Sequence, residues 1–485
     1  MPPFPNEYGN KTLRYAAYTA FAGMILLLAG SCVWYRERIL FADCAYKMYD
    51  IIHSRQYSVS ENRWGCIITQ VLPLAALKMH LPLRWVIILF SINFNLFYAI
   101  ISAVLTFWFR TYRLAVLMAA FYFLFVSASF FWPNNELNQA NAWMFLFWGI
   151  LLWGHNRLHM AIYLPLLAIT AWLAIFTHLV CLIPFSFIAV FLAATPGQLP
   201  LQRRQYIPLL SILVAIIVWR ITLSSSENTY DAAHLKGLRT LSPQSVAAAV
   251  STPVVHSFLQ RCWESYWVCI LIFAGSIFIA VRQRCWQALA LTLAGTAGYL
   301  LLMGIIYYDL DANTLLFHIE SEWTSLAIII GMPAIYLLLP RVRPSYAIAA
   351  IAGILAIRCG QILQRKESFT KHTELIAAAT RQMKKRQISK LEILSDETLR
   401  KDLMLTWAVA EESILLSGME KERTTLTCSV IDHEDPGTRT VTTDAGAVRL
   451  AFGNDSPRSL NNEYFNFDST RVYRVMSFSE LMNDK

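Results

Sequence analysis

A few acids, bases and amides stand at the edges of long apolar runs, and their placement limits the chemistry open to them. Asp43, in FADCAY, follows the first apolar run directly and is flanked by Phe41, Ala42 and Ala45. Partial desolvation there raises a carboxylate's basicity toward that of a general base. Asp is equally a favoured N-cap, and a surface helix begins at this point, so the spacing leaves both roles open and lets them coexist. Glu136, in WPNNELNQ, is a second acid at the end of an apolar run. Asn134, Asn135 and Asn138 surround it with amides suited to hydroxyl ligands or to holding a carboxylate, although NNEL is also an ordinary turn and helix start. His178, in IFTHLVCLIP, is ionisable inside an apolar run, where a functional role competes with that of a satisfied core histidine.

The stretch from Arg36 to Cys66 also gathers Arg36, Arg38, Lys47, Arg55 and Arg63. An anionic partner at headgroup depth offsets such a cluster, and a lipid-linked phosphate has the right charge and depth. Snorkelling to ordinary anionic headgroups is the competing reading. Asp309, Asp311, His318, Glu320 and Glu322, in YYDLDANTLLFHIESEW, could hold a divalent cation through oxygen ligands, but no spacing marks a metal site and a solvated acidic loop is expected. The nine cysteines show neither CxxC nor ligand spacing. Cys44 and Cys66 share the opening loop, and whether they pair stays open.

The elements that must position these residues are apolar helices. Of the 485 residues 56% are hydrophobic and 15% charged, with mean hydropathy +0.44, which indicates a polytopic membrane protein. The net charge of +9 comes from basic residues scattered in pairs between apolar runs, so membrane topology explains it better than nucleic-acid binding does. Runs of membrane length lie at roughly 13–34, 85–109, 114–132, 142–153, 160–194 split near His178, 207–223, 266–281, 286–307, 326–340 and 347–362. That makes about eleven crossings, two fewer if 142–153 only dips into the membrane and 160–194 crosses once.

Asp43 to Arg55 and Trp64 to His80 read as surface-lying helices. Short loops with Lys11 and Arg14, Arg110 and Arg113, Arg203 and Arg204, and Arg341 and Arg343 form a basic, cytoplasmic class. The longer acid-bearing loops, including the one with Asp43, then face outward, with the N terminus inside. The first apolar run is expected to be a retained anchor, because no cleavable leader pattern precedes it. The expected fold is an all-α polytopic membrane domain over 1–362, with two surface helices in its first outer loop, followed by a small α+β extracytoplasmic C-terminal domain over 363–485. In that tail KHTELIAAATRQMKKRQISKLEIL reads as an amphipathic helix, and TTLTCSVI and TRTVTT read as strands.

This layout resembles the GT-C superfamily of integral-membrane glycosyltransferases, which includes protein O-mannosyltransferases and the enzymes that add aminoarabinose to lipid A. In that family an acid in the first outer loop, followed by two surface helices, is the general base, and Asp43 in FADCAYKMYD matches that arrangement. Glu136 in NNEL is similar to the family's second outer acid, and THL at Thr177 to Leu179 looks like its histidine at an outer helix end. The paired DxD of some members is absent, since position 45 is Ala, and the resemblance leaves divalent-cation dependence and the donor sugar open.

The resemblance implies sugar transfer, with inversion, from a polyprenyl-phosphate donor to a hydroxyl of an unidentified glycan, lipid or protein acceptor. Asp43 would be the base, Glu136, Asn135 and His178 would position acceptor or sugar, and Arg36, Arg38 and Arg55 would bind the lipid phosphate. The implied location is a bacterial inner membrane with an outward-facing site. The rival function is a transporter or flippase of envelope glycan precursors. It is disfavoured because mid-membrane segments are nearly free of ionisable residues and no repeat is visible.

Overall fold

The computed structural model describes residues 9–194, 203–224, 242–308, 310–311, 314–420, 424–431, 447–456, 461–468 and 470–483. Helices dominate. Lys11–Val33, Leu83–Trp108, Met160–Thr177, Tyr206–Leu223, Trp286–Ile306, Leu316–Arg341 and Pro344–Lys385 are long and apolar enough to cross a membrane. That is seven among the described residues, or eight if the bent pair Pro243–Glu264 and Trp267–Arg282 counts as one span. The chain is an integral membrane protein by this criterion. The remaining expected crossings fall on shorter or more polar helices, among them Tyr112–Phe123, Glu136–Gly154 and Leu182–Ala194.

The break expected near His178 is present. Met160–Thr177 ends on His178 in an extended conformation (φ −158°, ψ 125°), and its imidazole accepts from the Val180 N–H to start the 3-10 turn Leu179–Cys181. The segment Pro243–Glu264 meets Trp267–Arg282 at 90°, a bend that marks a broken span or a re-entrant loop. The first loop carries the short helix Tyr35–Ile39, then Ala42–Ser54, the 3-10 segment Trp64–Gln70 and Val71–Lys78.

Two expectations need correcting. Of the acidic stretch expected as a solvated loop, Asp311 is an exposed loop residue, but His318, Glu320 and Glu322 lie in the first half of the helix Leu316–Pro333, and Glu320 and Glu322 are 0% and 2% exposed. Its polarity hid this helix, because Glu320 takes its hydrogen bonds from Ser127, Ser129 and Tyr266 rather than from water. KLEIL, expected as the end of an amphipathic helix, is instead strand β1, Lys390–Leu394. Asp309 and TRTVTT lie outside the described residues.

In the C-terminal domain β1 is the central strand of a parallel sheet. It is flanked by β2 (Thr427–Ile431) and β5 (Arg474–Ser477), while β3 (Val448–Leu450) and β4 (Gly453–Asp455) form an antiparallel pair. The boundary expected at 362/363 falls within one continuous helix, Pro344–Lys385. At about 1.5 Å per residue its 42 residues reach roughly 63 Å, twice the hydrocarbon thickness, so the same helix serves both the membrane bundle and the C-terminal domain.

Candidate functional site

The helix Ala42–Ser54 buries Cys44, Ala45, Met48, Tyr49, Ile51 and Ile52. Its partly accessible residues Asp43, Tyr46, Asp50 and His53 follow at spacings of three, four and three, so they make a single stripe. Asp43 heads that stripe. It is not the N-cap: Phe41 occupies that position and offers no side-chain hydrogen bond.

The indole N–H of Trp132 donates to Asp43 Oδ2 at 2.9 Å. Burial, followed by the charge of Glu136, pushes the Asp43 carboxyl up to about 6, against the downward pull of Trp132 and Lys47. Lys47, one turn along from Asp43, reaches Glu136 Oε1 at 3.6 Å, and Arg63 reaches the same oxygen at 3.2 Å. Burial works to raise the Glu136 carboxyl, but Arg63, Lys47 and His178 outweigh it and hold it down at about 2. The two acids are thereby driven apart, one poised near neutrality and the other firmly ionised.

Glu136 opens the helix Glu136–Gly154, and Asn135 caps it by accepting from the Asn138 N–H at 3.2 Å. The Asn135 amide donates to Ser321 Oγ. Upstream, the turn at Ser127–Ser129 is tied to Glu320. That carboxylate accepts from the backbone N–H groups of Ser127 and Ser129 at 2.8 Å each, from the Ser127 hydroxyl, and from the Tyr266 hydroxyl at 2.5 Å. This saturated carboxylate fixes the loop that presents Trp132 and Glu136. Glu322, on the same helix, is close enough to Glu136 and Arg63 for their charges to act on it, and its Oε2 has no hydrogen-bond partner among the described residues.

Asp43, Glu136, Asn135 and His178 are thus brought to one region, whereas the three arginines assigned to phosphate are scattered. The Arg38 guanidinium is buried. It donates to Ser91 Oγ at 3.0 Å and to the Phe130 carbonyl, and stands 4.3 Å above the Phe130 ring. Arg55 pairs with Glu463 at 2.5 Å and donates to Asn461 at 3.2 Å, both in the C-terminal domain. Arg36 is exposed at the end of the first span.

Trp132 is a site member that the sequence does not mark, and Lys47 and Arg63, expected in a basic cluster offset by an anionic partner, face Glu136. The place of Lys47 near Asp43 was open to discovery, since position 47 shares a helical face with position 43. Cys44 and Cys66 are buried and unbonded. Among the described residues no group of three or more His, Cys, Asp or Glu side chains is arranged to hold a metal. An apolar, half-open pocket of about 200 Å³, lined by Ala20, Phe123, Ile335, Tyr346 and Leu355, contains none of these site residues.

No family model matches the chain, and neither a curated protein nor a solved structure does so.

Proposed function

We propose that the protein is a membrane glycosyltransferase of GT-C type that moves a sugar from a polyprenyl-phosphate donor to an acceptor hydroxyl on the extracytoplasmic side, with Asp43 as general base. The observation that carries this reading is the pairing of Asp43, raised to about 6 and hydrogen-bonded by Trp132, with Glu136, held ionised by Lys47 and Arg63. A departing phosphate is a stable leaving group, so one base and nearby positive charge are sufficient and no general acid is needed.

The Asp43 carboxylate would take the acceptor's proton as the acceptor oxygen attacks the anomeric carbon. The bond to the phosphate oxygen then breaks on the opposite face, which inverts the configuration. Lys47 supplies positive charge beside the base, while Arg63 pairs with Glu136. Arg36, exposed where the first span ends, is suited to the lipid phosphate. About eleven crossings, with the N terminus in the cytoplasm of a bacterial inner membrane, belong to this proposal.

The test is incubation of the purified protein in liposomes with labelled polyprenyl-phosphate sugars and envelope glycan, lipid and peptide acceptors. Product with an inverted linkage supports the reading, and uptake of label without product favours transport instead.

The pH dependence is a second expected outcome. The base must be ionised, so turnover rises with pH through about 6. Trp132→Phe removes a hydrogen bond that favours the ionised carboxylate, so the acid limb of the pH–rate profile moves to higher pH. A limb that stays in place in this variant would argue against Asp43 as the titrating group.

A further inference from the structure

The turn that delivers Asp43 is held from the C-terminal domain. Ala42 is a non-glycine residue with φ 43°, inside the left-handed region. It is also the first residue of the helix Ala42–Ser54, where the backbone N–H has no partner within the helix, and the preceding Phe41 provides no side-chain cap. The missing acceptor is Glu412, in the helix Val409–Met419, whose Oε1 takes the Ala42 N–H at 2.7 Å.

The other oxygen of Glu412 lies 2.8 Å from His372 Nε2, on the long helix Pro344–Lys385. His372 Nδ1 lies 2.8 Å from the Leu403 carbonyl, and because a carbonyl only accepts, Nδ1 carries a proton. Ala42 and His372 are 0% exposed and Glu412 is 1% exposed, so no water substitutes for these bonds. The Phe41 ring is wedged 5.0 Å from Phe317, 5.0 Å from Phe369 and 5.1 Å from His372.

An apolar contact between the domains would give comparable cohesion without burying a carboxylate. What a carboxylate adds is an acceptor directed at one N–H, and a negative charge at the start of the helix that carries Asp43. We propose that Glu412, oriented by His372, is a positioning residue that caps this helix from across the domain boundary and sets the reach of the Asp43 carboxylate. The C-terminal domain is then part of the active-site framework rather than an appended binding module. The proposal rests on the reading of Asp43 as the base, and its test separates the two.

Cys44, next to Asp43, and Cys428, on β2, are both 0% exposed and in no disulfide, so they serve as reporters of the turn and of the domain. Alkylation of the full-length protein in native membranes, with peptides resolved by mass spectrometry, is compared for the parent, Glu412→Ala and Glu412→Gln, alongside turnover of a labelled polyprenyl-phosphate sugar. In Glu412→Ala, Cys44 is expected to react roughly tenfold faster or more while Cys428 stays protected. Turnover should fall on the order of 100-fold with the donor KM unchanged, as for a base displaced by about 1 Å.

Glu412→Gln keeps an oxygen for Ala42 and an N–H for a neutral His372, and is expected to restore both protection and turnover. Unchanged Cys44 protection in Glu412→Ala would overturn the proposal, and so would reaction of Cys428 together with Cys44, which would assign Glu412 to the fold of the domain. If Asp43→Asn keeps full transfer, the reading of Asp43 fails, and the Cys44 result still decides whether Glu412 holds the turn.

Discussion

Asp43→Asn is expected to lower sugar transfer by roughly 10²- to 10⁴-fold, the range that a general base contributes, while the protein folds and inserts normally. The substitution is nearly isosteric, and the amide oxygen still accepts from the Trp132 indole. Removing this charge also relieves its repulsion with Glu136, so the variant's thermal unfolding in detergent should be unchanged or slightly raised. Inverted product formed at the parent rate would exclude Asp43 as the base. Loss of transfer accompanied by a lower melting temperature would instead indicate a structural role.

Glu136→Gln is expected to have the larger effect on stability. Lys47 and Arg63 are each about 7% exposed at their side chains, and both direct their charge at Glu136. Without the carboxylate Lys47 and Arg63 lose a shared, largely buried counter-charge, and breaking a buried pair typically costs about 3–5 kcal/mol. A melting temperature unchanged from the parent would show that the pair is solvated.

The pH dependence of this contribution has a definite sign. The Glu136 carboxyl is lowered in the folded protein, from 4.5 to about 2. Its stabilisation is therefore complete above about 4.5 and is lost as pH falls through about 2. The same variant also acts on Asp43. It removes a charge that raises the Asp43 carboxyl and frees Lys47 to lower it, so the acid limb of the pH–rate profile should move to lower pH, opposite to Trp132→Phe.

Several members of this site were legible in the sequence because a change of composition marks them. Asp43 and Glu136 stand where an apolar run stops, and His178 stands where one is interrupted, so each announces a helix end before any fold is known. The arginines carry no such mark. Whether a guanidinium faces a lipid phosphate, a carbonyl or a carboxylate depends on what the fold brings to it. For Arg38 that is Phe130, 92 residues away, and for Arg55 it is Glu463, 408 residues away.

The acids of HIESEW misled for a related reason. Side chains of this polarity usually indicate water, yet Ser127, Ser129 and Tyr266 furnish Glu320 with donors from distant parts of the chain. The C-terminal strand KLEIL continued a helical charge pattern without a break. Only its pairing with β2 and β5, drawn from residues 427–431 and 474–477, makes it a strand.

The bond between Ala42 and Glu412 spans 370 residues of chain, which has a consequence for the order in which the protein is built. At synthesis rates of about 5–20 residues per second, the first loop leaves the ribosome on the order of 20–70 s before its partner exists. During that interval the opening helices can insert and the surface helices can settle on the bilayer, but the turn at Ala42 has no acceptor for its N–H. Placement of Asp43 is then a late folding event, and a nascent chain that stalls before residue 412 would carry a loop still free to sample other conformations.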